Sequence, residues 1–82
     1  MKRIAIIALI VTDRGAAEAI NALLHEYGEH IVGRMGLPCR ERGMNLISVA
    51  MDAPQDVISA LAGKLGRLPG VSSKTVYAPE NN

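Results

Sequence analysis

The sequence predicts an α+β sandwich of order β-α-β-β-α-β, in which a four-stranded antiparallel sheet carries two helices on one face. Three observations lead there. Residues 16–27 and 54–67 repeat apolar side chains at helical spacing. Residues 4–11, 30–37, 44–51 and 71–77 read as strands, the first and third being the most apolar. Turn-forming residues separate them, with glycine at 15, 28, 43 and 70 and proline at 38 and 69.

Strand 4–11 is β-branched and unbroken by glycine or proline. Ile4, Ile6, Ala8 and Ile10 share one face and Ala5, Ile7, Leu9 and Val11 the other, so both are apolar. A turn follows over 12–15, with Asp13 or Thr12 available as N-cap. In helix 16–27, Ile20, Leu23, Leu24 and Tyr27 fall at i, i+3, i+4 and i+7, leaving Glu18, Asn21, His25 and Glu26 to water. Gly28 is expected to end the helix in a left-handed conformation. Strand 30–37 is weakened by Gly33 and Gly36, and a charged connection over 38–43 leads to strand 44–51. There Ile47, Val49 and Met51 oppose Leu46, Ser48 and Ala50.

The second helix carries the clearest signals. Pro54 suits a first turn, Asp56 meets the positive end of the helix dipole, and Val57, Ile58, Leu61, Leu65 and Leu68 form one stripe. Lys64 and Arg67 sit near the far end, and Pro69 with Gly70 stops the helix. Strand 71–77 is partly polar, as an edge strand should be. One domain is expected over 1–78, with 79–82 a disordered tail.

This order is the split βαβ arrangement of a ferredoxin-like sandwich, with strands one and three central and two and four at the edges. Two helices shield one side of such a sheet, and the other side should turn polar if it meets water. Strand one does not. Burying each of its leftover aliphatic side chains is worth roughly 1.5–3 kcal/mol, a sum comparable to a total stability of about 5–15 kcal/mol. The sequence therefore implies a homodimer or homotetramer, joined through the second sheet face or the edge strands.

Composition narrows function. In 82 residues, 49% are apolar, yet Phe and Trp are absent and Tyr27 and Tyr77 are the two aromatics, which leaves few platforms for stacking bases. A net charge of +1, with Glu41 interrupting Arg34, Arg40 and Arg42, argues against direct nucleic-acid binding. Cys39 has no cysteine partner within the chain, which suits a reducing cytoplasm. The N-terminal apolar run superficially resembles a signal peptide but lacks an Ala-x-Ala site, and it is too short for a membrane span. A cytoplasmic location is expected.

Four segments carry a family resemblance: His-Glu-Tyr-Gly at 25–28, Ile-Val-Gly-Arg-Met-Gly-Leu-Pro at 31–38, Asp-Ala-Pro-Gln-Asp-Val-Ile-Ser-Ala-Leu at 52–61, and Gly-Lys-Leu-Gly-Arg-Leu-Pro-Gly-Val at 63–71. Together they resemble the iron-only hydrogenase system regulators, small bacterial proteins. The resemblance implies a ferredoxin-like domain akin to ACT domains and to the C-terminal domain of the nickel-responsive regulator. It further implies oligomeric assembly and a role in regulating hydrogenase expression or maturation. No ligand motif transfers with it.

Candidate chemistry gathers at one end of the expected sheet. Thr12, Asp13 and Arg14 stand at the start of the first helix, whose unpaired N–H groups favour anions. Arg40 and Arg42 add charge for an amino acid or small anion. The 13–20 segment resembles the ligand-binding turn of ACT domains, without the proline that usually precedes the glycine; otherwise Asp13 caps a helix and the arginines are solvated. His25, His30 and Cys39 are acceptable metal ligands but lack a ligand spacing, so neither metal nor cofactor is expected. Acylphosphatases share the architecture, but this turn lacks their glycine-rich cradle and the chain shows no catalytic set, so an enzyme is not expected. The expected function is an oligomeric ACT-like sensing or assembly module. A purely structural interaction domain, or a small-ligand (amino acid or metal) domain of an unrelated pathway, is the alternative.

Overall fold

A computed structural model describes residues 1–79. Its elements are β1 (Lys2–Val11), α1 (Ala16–Glu26), β2 (Ile31–Cys39), β3 (Met44–Pro54), α2 (Gln55–Gly66) and β4 (Val71–Tyr77), with 3-10 turns at Gly28–His30 and Arg40–Arg42. The sheet order is β2-β3-β1-β4, all neighbours antiparallel. This is the ferredoxin-like, ACT-like topology, with β1 and β3 central. Of the tail expected at 79–82, residues 80–82 lie outside the described residues.

Register divides the sheet into two faces. Ala5, Ile7, Leu9 and Val11 of β1 and Val49, Met51 and Ala53 of β3 are buried beneath the helices. They meet Ala16, Ile20 and Leu24 of α1 and Ile58, Leu61 and Leu65 of α2 in one aliphatic core. Leu23, Tyr27, Val57 and Leu68 pack at its margin. The pattern of fully buried alternate residues in β1 requires that Ile4, Ile6, Ala8 and Ile10 point the other way.

Local chemistry adjusts the element ends. Asp13 does not cap α1: its Oδ1 accepts the Gly15 N–H at 2.8 Å, and Gly15 occupies the N-cap position. Thr12 is tied to the α2–β4 turn, its backbone N–H and hydroxyl both donating to the Gly70 carbonyl, at 2.8 and 3.2 Å. Gly28 is not left-handed; Tyr27 is the C-cap of α1, and the chain runs on into a 3-10 turn closed by the His30 N–H on the Tyr27 carbonyl. The positive-φ glycines are Gly43 (+66°) and Gly70 (+74°). Pro54 closes β3, paired with Lys2, and α2 begins one residue later. β3 thus runs three residues beyond 51, placing Ala53 in the core.

The helices are tied together at one end. The Lys64 ammonium of α2 donates to the Tyr27 hydroxyl at 2.8 Å and lies 3.7 Å from Glu26 Oε2. The Arg3 guanidinium lies 4.5 Å from the Tyr77 ring centre and donates to Gln55 Oε1 and the Ala78 carbonyl. Among the described residues no helix is long and apolar enough to cross a membrane.

Candidate functional site

Three surfaces are candidates. The first is the end of the sheet where β1 finishes. Antiparallel pairing of Val11 with Asn45 and with Val71 brings the 12–15 turn, the β2–β3 hairpin and the α2–β4 turn together. Arg14 and Arg40 line one open depression there, with Pro38, Gly43, Met44 and Asn45. Arg42 instead shares a second depression with Arg40, Cys39 and Glu41 on the hairpin itself. Thr12 and Asp13 directly precede Arg14 in sequence, but their side chains hold the turn through the Gly70 and Gly15 bonds. Of the five residues expected to bind a ligand, Arg14 and Arg40 share a concavity, Arg42 meets Arg40 in another, and Thr12 and Asp13 line neither.

The metal-ligand types stay apart. His30 precedes β2 and Cys39 ends it, nine residues of extended chain that span about 30 Å at ~3.3 Å per residue. His30 Nε2 lies 3.9 Å from Glu29 Oε1, while His25 faces a shallow recess beside Gly28 and Ile31. Among the described residues no group of three or more His, Cys, Asp or Glu side chains is placed to hold a metal ion.

The second surface is the uncovered face of the sheet. Residues paired across antiparallel strands share a face, so register assembles it row by row. One row reads Leu37, Leu46, Ile10, Ser72; the next Met35, Ser48, Ala8, Lys74; the next Gly33, Ala50, Ile6, Val76. Ile4, paired with Asp52, lies beyond. Ile4, Ile6 and Ile10 are 44–50% exposed, whereas Ile7 between them is fully buried on the helix side. Met35, Leu37 and Val76 are more exposed still. Across the three rows the polar side chains are Ser48, Ser72 and Lys74.

The third surface has no counterpart among the candidate site residues singled out by the sequence pattern. At the β2 edge a cleft of about 260 Å³ opens between α1 and the sheet. Its cause is the helix-side row of β2, which consists of Arg34, Gly36 and Pro38, opposite Val49, Ile47 and Asn45. None offers α1 a large apolar side chain to rest on. The Arg34 guanidinium reaches up instead and donates to Asn21 Oδ1 of α1 at 3.0 Å.

Comparison with known proteins places the chain. A family profile described as "TM1266-like: Iron-only hydrogenase system regulator, putative" matches residues 3–75. Among solved structures, uncharacterized protein TM1266 from Thermotoga maritima is 39% identical, with 96% of this chain and 100% of that chain aligned at a TM-score of 0.92. A formyltetrahydrofolate deformylase from Pseudomonas putida KT2440 is 18% identical, with 93% of this chain but 29% of that chain aligned at a TM-score of 0.64; that is a likeness of fold alone. No curated protein matches the chain.

Proposed function

The chain belongs to the TM1266-like family of iron-only hydrogenase system regulators, and from that premise we propose that it works as an oligomeric, ACT-like sensing or assembly module whose copies meet through the bare face of the sheet. It is a regulatory protein of that family rather than an enzyme.

The observation that carries the proposal is the apolar row structure of that face. Ile4, Ile6 and Ile10, about half exposed, are continuous with Met35, Leu37 and Val76. Covering each large aliphatic side chain is worth about 1.5–3 kcal/mol. Four strands about 4.8 Å apart and about eight residues long present roughly 500 Å². Two such faces bury about 1,000 Å², near the lower bound for a specific interface. A second copy of the chain offers a matching flat apolar partner, as a two-fold dimer requires.

A small effector fits the sensing half of the role. Arg14 and Arg40 line one depression beside the start of α1, where two guanidinium groups suit a carboxylate or phosphate. With a net charge of +1 spread over the chain, regulation runs through this effector or a protein partner rather than through direct contact with nucleic acid.

The test is the Ile6→Lys, Ile10→Lys double variant. It is expected to keep the wild-type circular dichroism but lose any rise of Tm with protein concentration, the mark of an oligomer stabilised by mass action. A wild-type Tm that does not vary with concentration would instead favour an interaction domain whose face docks a different protein.

A further inference from the structure

We propose that the cleft between α1 and β2 binds a small aliphatic monocarboxylate, its carboxylate paired with the Arg34 guanidinium and its hydrocarbon part lying over Gly36. The site is distinct from the Arg14–Arg40 depression, with which it shares only Pro38 and Asn45 of its lining, and it does not depend on how the copies assemble.

Gly36 is the first reason. Glycine in a strand weakens it and is ordinarily required by a bulge, a bend or a close backbone approach. Here the φ of Gly36 is not positive, and a Cβ added to it would meet nothing within 4 Å. The register irregularity of β2 lies elsewhere, between Ile31 and Gly33. Neither conformation nor crowding asks for glycine at 36. What its missing side chain does is keep space open on the helix side of the sheet, beside Ile47.

Size and lining supply the second reason. At about 260 Å³ the cleft falls just below the range of about 300–1,000 Å³ that holds drug-sized molecules, so it suits one small metabolite. Val11, Ile20 and Ile47 make its walls apolar. A compact hydrocarbon body gains by displacing water from such walls.

The third reason is charge. Arg34 is anchored at one donor by Asn21, which holds the guanidinium over the cleft and leaves its other N–H groups for a ligand. Among the described residues no carboxylate forms an ion pair with it. A planar guanidinium matches a carboxylate bidentately. One cation in the cleft balances one negative charge, which favours a monocarboxylate over a phosphate.

The experiment is a two-dimensional amide NMR titration of the full chain with straight and branched monocarboxylates from propionate to hexanoate, with and without an α-amino or α-keto group. Each is set against its neutral amide. At least one acid is expected to give saturable shifts centred on Ala17, Asn21, Gly36 and Asn45, at least tenfold tighter than its amide. Arg34→Gln should weaken that binding about tenfold or more. Gly36→Val should abolish it while raising Tm, because a β-branched residue replaces glycine in a strand at a position where an added Cβ meets nothing within 4 Å. The Arg14→Gln, Arg40→Gln variant should still bind the acid. Absence of saturable shifts with every acid would overturn the proposal. So would binding that survives Gly36→Val, binding lost with Arg14 and Arg40 but retained by Arg34→Gln, or a Gly36→Val chain of lower Tm, which would make the glycine a requirement of the fold.

Discussion

Gly70 lies so close to Asp13 that a Cβ at position 70 would overlap the Asp13 side chain and come 3.0 Å from its backbone nitrogen. Thr12, the neighbouring residue, is bonded to the Gly70 carbonyl. The α2–β4 turn is thereby pressed onto the β1–α1 turn, and this contact holds the turn that carries Arg14.

Substituting the two left-handed glycines separates conformation from crowding. Gly43→Ala, with φ +66° and open space around it, should cost about 1–2 kcal/mol, the usual penalty for a left-handed alanine. Gly70→Ala pays a similar backbone cost at φ +74° and also displaces Asp13, so its loss should exceed about 2 kcal/mol. Urea unfolding of the two variants checks the order; equal losses would show that the Asp13 contact is slack.

Lys64 gives the chain an alkaline dependence. The hydrogen bond to the Tyr27 hydroxyl raises its pKa above the ordinary 10.5, partial desolvation opposes the rise, and Glu26 adds to it. A cation whose folded pKa is raised contributes stability below its unfolded value, and that contribution is lost as pH climbs through the raised folded value. Wild type should therefore be more stable than Tyr27→Phe near neutrality, and the difference should shrink above pH 10.5. Thermal unfolding of both chains across that range is the check, and a difference that grows with pH would contradict the assignment.

The Arg14–Arg40 depression should respond to a simple anion. Inorganic phosphate is expected to raise Tm in wild type, approaching about 2.7 kcal/mol of stabilisation at a hundred times its Kd. The Arg14→Gln, Arg40→Gln variant should keep its ligand-free stability within about 0.5 kcal/mol and lose the phosphate response. Retention of the response would move the anion site elsewhere.

The order of elements was legible because each one announces its own period. Residues 71–77 alternate and follow Pro69 and Gly70, and β4 has those bounds. In α2 the stripe through Ile58, Leu61 and Leu65 is the buried one. The apolar back of β1 was legible too, since a strand with two greasy faces is visible without coordinates. The cleft was not. Arg34 and Gly36 lie on a strand with little hydrophobic alternation, and a one-residue shift of register exchanges its faces. The irregularity between Ile31 and Gly33 is such a shift, so no pattern in 30–37 reveals that Arg34 faces the helices. Asp13 misled for a related reason: a carboxylate before a helix can cap it or close a turn onto Gly15, and the two share one sequence signature.

The central claim is that the rows containing Ile6 and Ile10 are covered by a second copy of the chain. Sedimentation equilibrium of the wild-type protein at micromolar concentration tests it most directly. The account expects a mass of two or more times 8.7 kDa, falling to one times that mass in the Ile6→Lys, Ile10→Lys variant. A wild-type mass of 8.7 kDa that holds as the concentration is raised would contradict it.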